Sequence, residues 1–410
     1  MAKTSYHIMI IAGEASGDMR AAGLARALKE LNPQLRLTGI GGNYMRQAGV
    51  ECFMDITQLA VIGIAEVVKN LSRIKKVFDQ TIKQIDATHP DCVVLVDYPG
   101  FNLRLASVIK KRGIKIIYYI SPQVWAWREK RVLKIKKLVD RMIVLFPFEQ
   151  NIYSKYGMKV DYVGHPLVDE IIVDKNRAEI LNAIGQSESK TTIGLMPGSR
   201  AKEVDRHLPC MLEAAQILYK ENNQLQFILL KSSSIPFKII ESILSQCHCE
   251  RSEAISEINM SFPRKVLIPD THSCLQESIL KNIPIKIYDG PIYDGINATD
   301  AVMVASGTAT LEAALLKKPM VIIYKTSWLT YYLARALIKI PYIGLVNIVA
   351  GKKVADELIQ NNATAINIAD AIKKAMNNRR TIDDLAALKA SLGRPGASQR
   401  AARIILEEIK

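Results

Sequence analysis

Ala301-Val302-Met303-Val304-Ala305, running into Ser306-Gly307-Thr308-Ala309-Thr310-Leu311-Glu312, is the stretch that decides the fold. Five consecutive apolar residues predict a short strand buried on both faces, as in a parallel sheet. The small residues behind it predict a turn that opens a helix, with Glu312 in the first helical turn. Such a turn presents unpaired backbone N–H groups and the positive end of the helix dipole, a setting that suits a diphosphate. Glu312 is placed to accept from both hydroxyls of a ribose. A capping box would make the carboxylate structural, but it needs Ser or Thr three residues earlier, where Ala309 stands.

The same strand–turn–helix unit recurs on either side. Buried strands are predicted at His7–Ala12, Leu35–Ile40, Asp91–Val96, Lys115–Ile120, Arg141–Phe146 and Lys159–Val163, with a helix at Met19–Leu31. After Val163-Gly164-His165-Pro166 and a polar stretch over 174–190, a second series begins at Thr192–Met196. It continues through Gln226–Leu230, Lys265–Ile268, Ile283–Tyr288, Ala301–Ala305 and Pro319–Tyr324. Apolar strands alternating with helices indicate an α/β chain of two doubly wound, Rossmann-like domains facing each other across a cleft. The expected division is 1–168, joined by a C-terminal helix over 386–410, and 169–385. Residues 247–263 fit neither period and read as a surface insertion.

At 410 residues the chain is too long for one ordinary core. Its formal net charge of +15 favours an anionic partner: nucleic acid, an anionic membrane surface or a phosphorylated substrate. No apolar run is long enough to span a bilayer, and the N-terminus lacks a signal-peptide layout, so a cytoplasmic protein is expected. The six cysteines are scattered. Cys247-His248-Cys249 is too compact for a usual zinc site, so no metal is expected.

Chemistry concentrates in the turns that follow strands. Pro197-Gly198-Ser199-Arg200 combines a glycine that lets backbone approach a ligand with an arginine fork suited to phosphate. Gly13-Glu14-Ala15-Ser16-Gly17-Asp18 lacks both the dinucleotide and the Walker A pattern. Its two carboxylates would repel phosphate, so a sugar or acceptor hydroxyl is the expected contact. Asp97, at the end of an apolar strand, is either a general base or the start of an Asx turn. Apolar Val61, Ile62, Ile64, Val67, Val68 and Leu71 stand beside Lys69 and Arg73. This pattern suits either an anionic bilayer surface or an ordinary solvated basic helix face. No nucleic-acid motif accompanies the basic residues. No D-x-D pair is present to hold a metal-bound nucleotide sugar.

Taken together, these motifs resemble the lipid-A-disaccharide synthases, family 19 glycosyltransferases of the GT-B fold. The resemblance rests on Ala12–Asp18, Asp97-Tyr98-Pro99-Gly100-Phe101-Asn102 and Ser121-Pro122-Gln123-Val124-Trp125-Ala126-Trp127. It extends through Val163–Leu167, Pro197–Arg200, Ser306–Glu312 and Val346-Asn347. It implies an inverting transfer of 2,3-diacylglucosamine from UDP to the 6-hydroxyl of 2,3-diacylglucosamine 1-phosphate (lipid X), giving the disaccharide 1-phosphate and UDP, without a cofactor. Asp97 would be the base, with Glu14 as rival. Gly198, Ser199, Arg200, Ser306, Gly307, Thr308, Ala309, Thr310, Glu312 and Asn347 would bind UDP. Ser16, Gly17, Asn102, Gln123 and His165 would line the acceptor side or the cleft. The 61–73 patch would dock peripherally on the inner face of the inner membrane, and a homodimer is left open. Two rivals remain: a metal-independent GT-B UDP-N-acetylglucosamine transferase or epimerase, and a basic nucleic-acid-binding protein.

Overall fold

The computed structural model describes residues 6–55, 71–127, 129–244, 283–337 and 340–410. The chain divides into two compact units, Met1–Glu170 with Ser391–Lys410, and Ile171–Ala390.

Among the described residues the first unit is built on seven parallel strands: β1 (His7–Ala12), β2 (Arg36–Gly41), β3 (Glu51–Asp55), β4 (Cys92–Val96), β5 (Lys115–Tyr119), β6 (Arg141–Val144) and β7 (Asp161–Tyr162). Their order is β3-β2-β1-β4-β5-β6-β7. Strand alternation divides β1 between two cores. Ile8, Ile10 and Ala12 join the core that holds Leu24 and Leu28 of the Ala15–Leu31 helix, together with Ala401 and Ile405. Met9 and Ile11 join the opposite core, with Val77, Ile85, Phe101 and Leu105. A strand covered on both sides is apolar on both, which is why Ile8 to Ala12 reads as a continuous run. Each such fully buried Ile or Leu contributes about 1.5–3 kcal/mol.

The C-terminal helix Ala397–Ile409 packs on the Ala15–Leu31 helix. The Asp169 carboxylate accepts from the Gly396 and Ala397 N–H groups, at 2.6 and 3.1 Å, and so closes the helix start. The Arg400 guanidinium donates to the Val163 carbonyl and to the carbonyls of Arg394 and Pro395. The tail holds two helices, Arg379–Ser391 and Ala397–Ile409, parted by Gly393 and Gly396 at φ 92° and 94°.

Among the described residues the second unit carries six parallel strands: β8 (Thr191–Met196), β9 (Leu225–Leu230), β10 (Ile285–Tyr288), β11 (Ala301–Ala305), β12 (Met320–Tyr324) and β13 (Asp356–Ile359). Their order is β10-β9-β8-β11-β12-β13. Its core gathers Ile193 and Leu195 of β8, Met303 of β11 and Val321 of β12. Leu208 and Met211 of the Ala201–Glu221 helix and Ile368 and Ile372 of the Ala365–Asn377 helix join them.

The structure departs from these expectations in two ways. The first helix begins at Ala15, not Met19, because Glu14 takes the N-cap position and its carbonyl accepts from the Asp18 N–H. Two edge strands, β3 and β13, had no signal. Both are largely half-exposed and carry polar residues, so neither forms an apolar run. The strand expected at 265–268 and the insertion at 247–263 lie outside the described residues.

Candidate active site

In an open parallel sheet, ligands gather at the carboxyl ends of the strands where the strand order reverses. The first sheet reverses between β1 and β4, whose following turns carry Glu14 and Asp97. The second reverses between β8 and β11, whose turns carry Gly198-Ser199-Arg200 and Ser306-Gly307-Thr308. Within each unit, residues separated by 80 to 110 positions of sequence thus arrive at one sheet edge by topology alone.

At the first reversal the backbone is strained. Asp97 and Tyr98 both adopt left-handed φ values, 45° and 44°. Two consecutive non-glycine residues in that region are held at a cost of roughly 1–3 kcal/mol each. The clamps are visible. Asn102 donates from Nδ2 to the carbonyls of Asp97 (2.8 Å) and Val96 (3.1 Å). The Tyr118 hydroxyl donates to the Asp97 carbonyl at 2.6 Å, and the Asp97 N–H donates to the Tyr119 carbonyl at 3.1 Å. Gly13 is needed because the Tyr98 ring lies over it: a Cβ there would come within 2.4 Å of the ring.

The turn directs a half-buried Asp97 carboxyl whose pKa is raised to about 6. Burial is the main cause and the Glu14 charge adds to it, against a hydrogen bond from the Tyr98 N–H. Glu14 and Ser16 are exposed beside it, and Gly17 is buried in the first helical turn. Asp18 turns inward instead. Its carboxylate accepts the N–H groups of Gly42, Tyr44 and Met45 and closes the start of the short helix Asn43–Gln47. Asp18 therefore does not face a ligand, a correction to the sequence reading, which set two carboxylates in that loop against phosphate.

Gln123 is exposed in the turn after β5. Beneath it lies a residue that sequence reasoning missed. Glu149 is buried, accepts from the Ser121 hydroxyl (2.5 Å) and the Phe146 N–H (3.1 Å), and has its pKa pushed up to about 7 by burial. The signal was a Glu two residues after Pro147 at a helix start. Asn102 and His165 are buried. The His165 Nδ1 accepts from the Leu167 N–H at 3.2 Å, and its ring lies 5.2 Å from Phe146. Burial, then the Arg20 charge, lower its pKa to about 3, so it is neutral near pH 7. Both residues act as framework within their unit.

At the second reversal, Arg200 is the N-cap of the long Ala201–Glu221 helix. The Ser199 N–H and the Arg200 guanidinium both bond the Glu203 carboxylate, at 3.2 and 3.1 Å, and the Arg200 side chain is 53% exposed. Gly198, at φ 132°, leaves space that a Cβ would take from Glu203. Across the reversal, the Ser306 N–H donates to the Ile323 carbonyl and its hydroxyl to the Ile343 carbonyl. Gly307 borders open space, Thr308 is exposed, and Ala309 is half-exposed. The buried Thr310 donates its hydroxyl to the Gly307 carbonyl. Glu312 is half-buried in the first turn of Ala309–Leu315.

That helix is two turns long, whereas Ala201–Glu221 spans 21 residues. The stronger helix terminus at this edge therefore belongs to the Pro197–Arg200 turn. Asn347 is buried. It spends both donors on Ala355 O and Glu357 and both acceptor positions on the N–H groups of Val354 and Ala355. It holds a loop instead of offering its amide to solvent.

Residues 61, 62, 64 and 67–69 of the apolar patch lie outside the described residues. Arg73, Lys75, Lys76 and Lys83 are exposed on the Leu71–Thr88 helix, which buries Val77 and Ile85. Phe53, Met54 and Val77 line a groove of about 490 Å³ beside Arg73, Lys76 and Lys83. Among the described residues no helix is long and apolar enough to cross a membrane.

Several solved structures share this fold. They include the glycotransferase of kitacinnamycin (TM-score 0.65, 13% identity, 99% of this chain and 100% of that one). S. aureus MnaA in a UDP co-structure is similar too (TM-score 0.63, 14% identity, 98% and 97%). At such identities the likeness establishes the two-domain GT-B architecture and nothing finer. Sequence relatives are nearer. The lipid-A-disaccharide synthase of Geobacter sulfurreducens is 41% identical over 98% of this chain and 97% of its own length. Lipid-A-disaccharide synthase 1 of Legionella pneumophila is 38% identical over 94% and 93%. The family model described as lipid-A-disaccharide synthetase matches residues 8–261 and 252–405. With both sheet reversals carrying its motifs, the chain belongs to the lipid-A-disaccharide synthase family of glycosyltransferases.

Proposed function

We propose that the chain transfers 2,3-diacylglucosamine from UDP to the 6-hydroxyl of 2,3-diacylglucosamine 1-phosphate, with inversion at the anomeric carbon. The observation that carries this reading is the strained Asp97 turn, which holds a carboxylate of raised pKa at the first sheet reversal. With a pKa of about 6 the group is ionised at neutral pH, yet basic enough to take a proton in the transition state. As Asp97 removes the proton of the 6-hydroxyl, that oxygen bonds to the anomeric carbon. The bond from that carbon to the β-phosphate oxygen breaks on the opposite side, and UDP leaves with the electron pair. Glu14 raises the basicity of Asp97 by its charge.

By this reading the second unit stabilises the leaving group. Arg200 and the Ser199 N–H exchange the Glu203 carboxylate for the diphosphate. An exposed pair of this kind is worth about 0–1 kcal/mol, so a doubly charged ligand displaces it readily. Gly307 and Thr308 border the diphosphate, Glu312 accepts from the ribose hydroxyls, and Asn347 maintains the neighbouring loop. Gln123 contributes to the acceptor side, with Glu149 and Ser121 fixing its turn. The cations of the Leu71–Thr88 helix, with the 61–71 apolar residues, bring the enzyme to an anionic lipid surface that presents the acylated substrates.

Product analysis with both acylated substrates in EDTA tests this directly. Formation of the β-1,6-linked disaccharide 1-phosphate and UDP is expected. Turnover of non-acylated UDP-N-acetylglucosamine in its place would favour the soluble-sugar alternative. Tight RNA binding without UDP binding would favour the nucleic-acid alternative.

A further inference from the structure

We propose that His207 is a positioning residue for the nucleotide site: its neutral imidazole ties together the two loops that flank the Ser306–Thr308 turn. The proposal rests on the UDP reading of that sheet edge.

His207 lies on the Ala201–Glu221 helix and is 1% exposed. The Lys325 N–H reaches its Nε2 at 2.9 Å, and its Nδ1 lies 2.8 Å from the Pro197 carbonyl oxygen. A backbone N–H only donates, so Nε2 must be the bare nitrogen. A carbonyl only accepts, so Nδ1 must carry the proton. The two contacts therefore select one tautomer of the neutral ring, and a second proton would break the Lys325 bond.

The topology gives that bridge its meaning. Pro197 follows β8 and Lys325 follows β12, and in the sheet these strands are separated by β11. One imidazole thus spans the strand whose turn is Ser306-Gly307-Thr308. On the β8 side it fixes the carbonyl that immediately precedes Gly198, and hence the orientation of the Gly198–Arg200 peptides. The Ser234 hydroxyl holds the same loop by donating to the Ser199 carbonyl at 2.7 Å. On the β12 side, Gln360 clamps Thr326 through both backbone groups, at 2.7 and 3.0 Å. Lys325 and Glu203 are the charged groups acting on the ring, with opposite effects on its protonation. No part of His207 need touch the nucleotide: it sets the loops that do.

The substitutions separate the two bonds. His207→Asn places an amide nitrogen near the Nδ1 position and retains the Pro197 contact. His207→Gln reaches the Nε2 position and retains the Lys325 contact. His207→Leu keeps neither. UDP affinity, measured by titration calorimetry on the full chain, is expected to fall about tenfold in the Leu variant and less in the other two. In turnover, KM for the UDP-sugar should rise more than kcat falls. Equal UDP affinity in wild type and all three variants, with Arg200→Ala still weakening it, would overturn the positioning role alone. Failure of the wild type to bind UDP, or indifference to Arg200→Ala, would instead remove the UDP reading. A second readout needs no variant: imidazole ¹⁵N spectra of the intact protein should show His207 protonated on Nδ1 and bare on Nε2. The opposite tautomer would also overturn the proposal.

Discussion

The two sheet reversals solve different problems with the same topology. At the first, between β1 and β4, two consecutive left-handed residues are forced into place and a carboxyl is held where burial and a neighbouring charge raise its pKa. At the second, between β8 and β11, the turns are laced to neighbouring loops by hydrogen bonds, and an exposed arginine rests on a weakly held carboxylate. The first arrangement stores strain and a proton affinity, which suits a reacting group. The second maintains an array of donors and a cation, which suits a bound anion. Fold alone does not distinguish reactivity from binding; the local backbone and charge do.

Asp97→Asn is the sharpest way to break this contrast. It should lower kcat by about 10²–10⁴-fold while leaving UDP affinity unchanged. It should also stabilise the protein above pH 6. The folded carboxyl holds its proton more tightly than the unfolded one, so native stability falls as pH rises from about 4 to about 6, and the full penalty persists above that. Removing the charge should recover on the order of 3 kcal/mol at pH 7.5, several degrees in Tm, with the gain vanishing near pH 4. A variant that keeps its activity would remove Asp97 as the base, and one that loses stability at pH 7.5 would contradict its raised pKa.

Arg200→Ala should do the reverse, weakening UDP binding by about 10–100-fold, read by calorimetry, with little change in Tm. Tyr118→Phe sharpens the first arrangement. Loss of one hydrogen bond on the Asp97 carbonyl should lower Tm by the equivalent of about 1 kcal/mol and reduce kcat severalfold, with UDP affinity unchanged. The smallest effect is expected at the lipid surface. Val68→Ser should weaken binding to anionic vesicles about fivefold, and added salt should weaken it further. Pelleting that is indifferent to both would detach the basic patch from this account.

Much of this organisation is legible in the chain because β1, β4, β8 and β11 are buried on both faces and are therefore largely apolar. The turns that follow them are then found by position. What stayed hidden is whatever depends on distant partners. Asp18 reads as a charge in a glycine-rich loop until Gly42–Met45 fold onto it. Nothing in the sequence singles out His207, since its partners are backbone atoms of Pro197 and Lys325, the latter 118 residues away. Edge strands β3 and β13 are half-exposed and leave no apolar run. The left-handed conformation of Asp97 and Tyr98 has no sequence signature, because neither residue is glycine.

The pH dependence of kcat/KM tests the central claim, that the first reversal holds a base of raised pKa, most directly. The account predicts a limb that falls tenfold per pH unit below an apparent pKa of about 6, absent in Asp97→Asn. A wild-type profile that stays flat from pH 5 to 8 would contradict it.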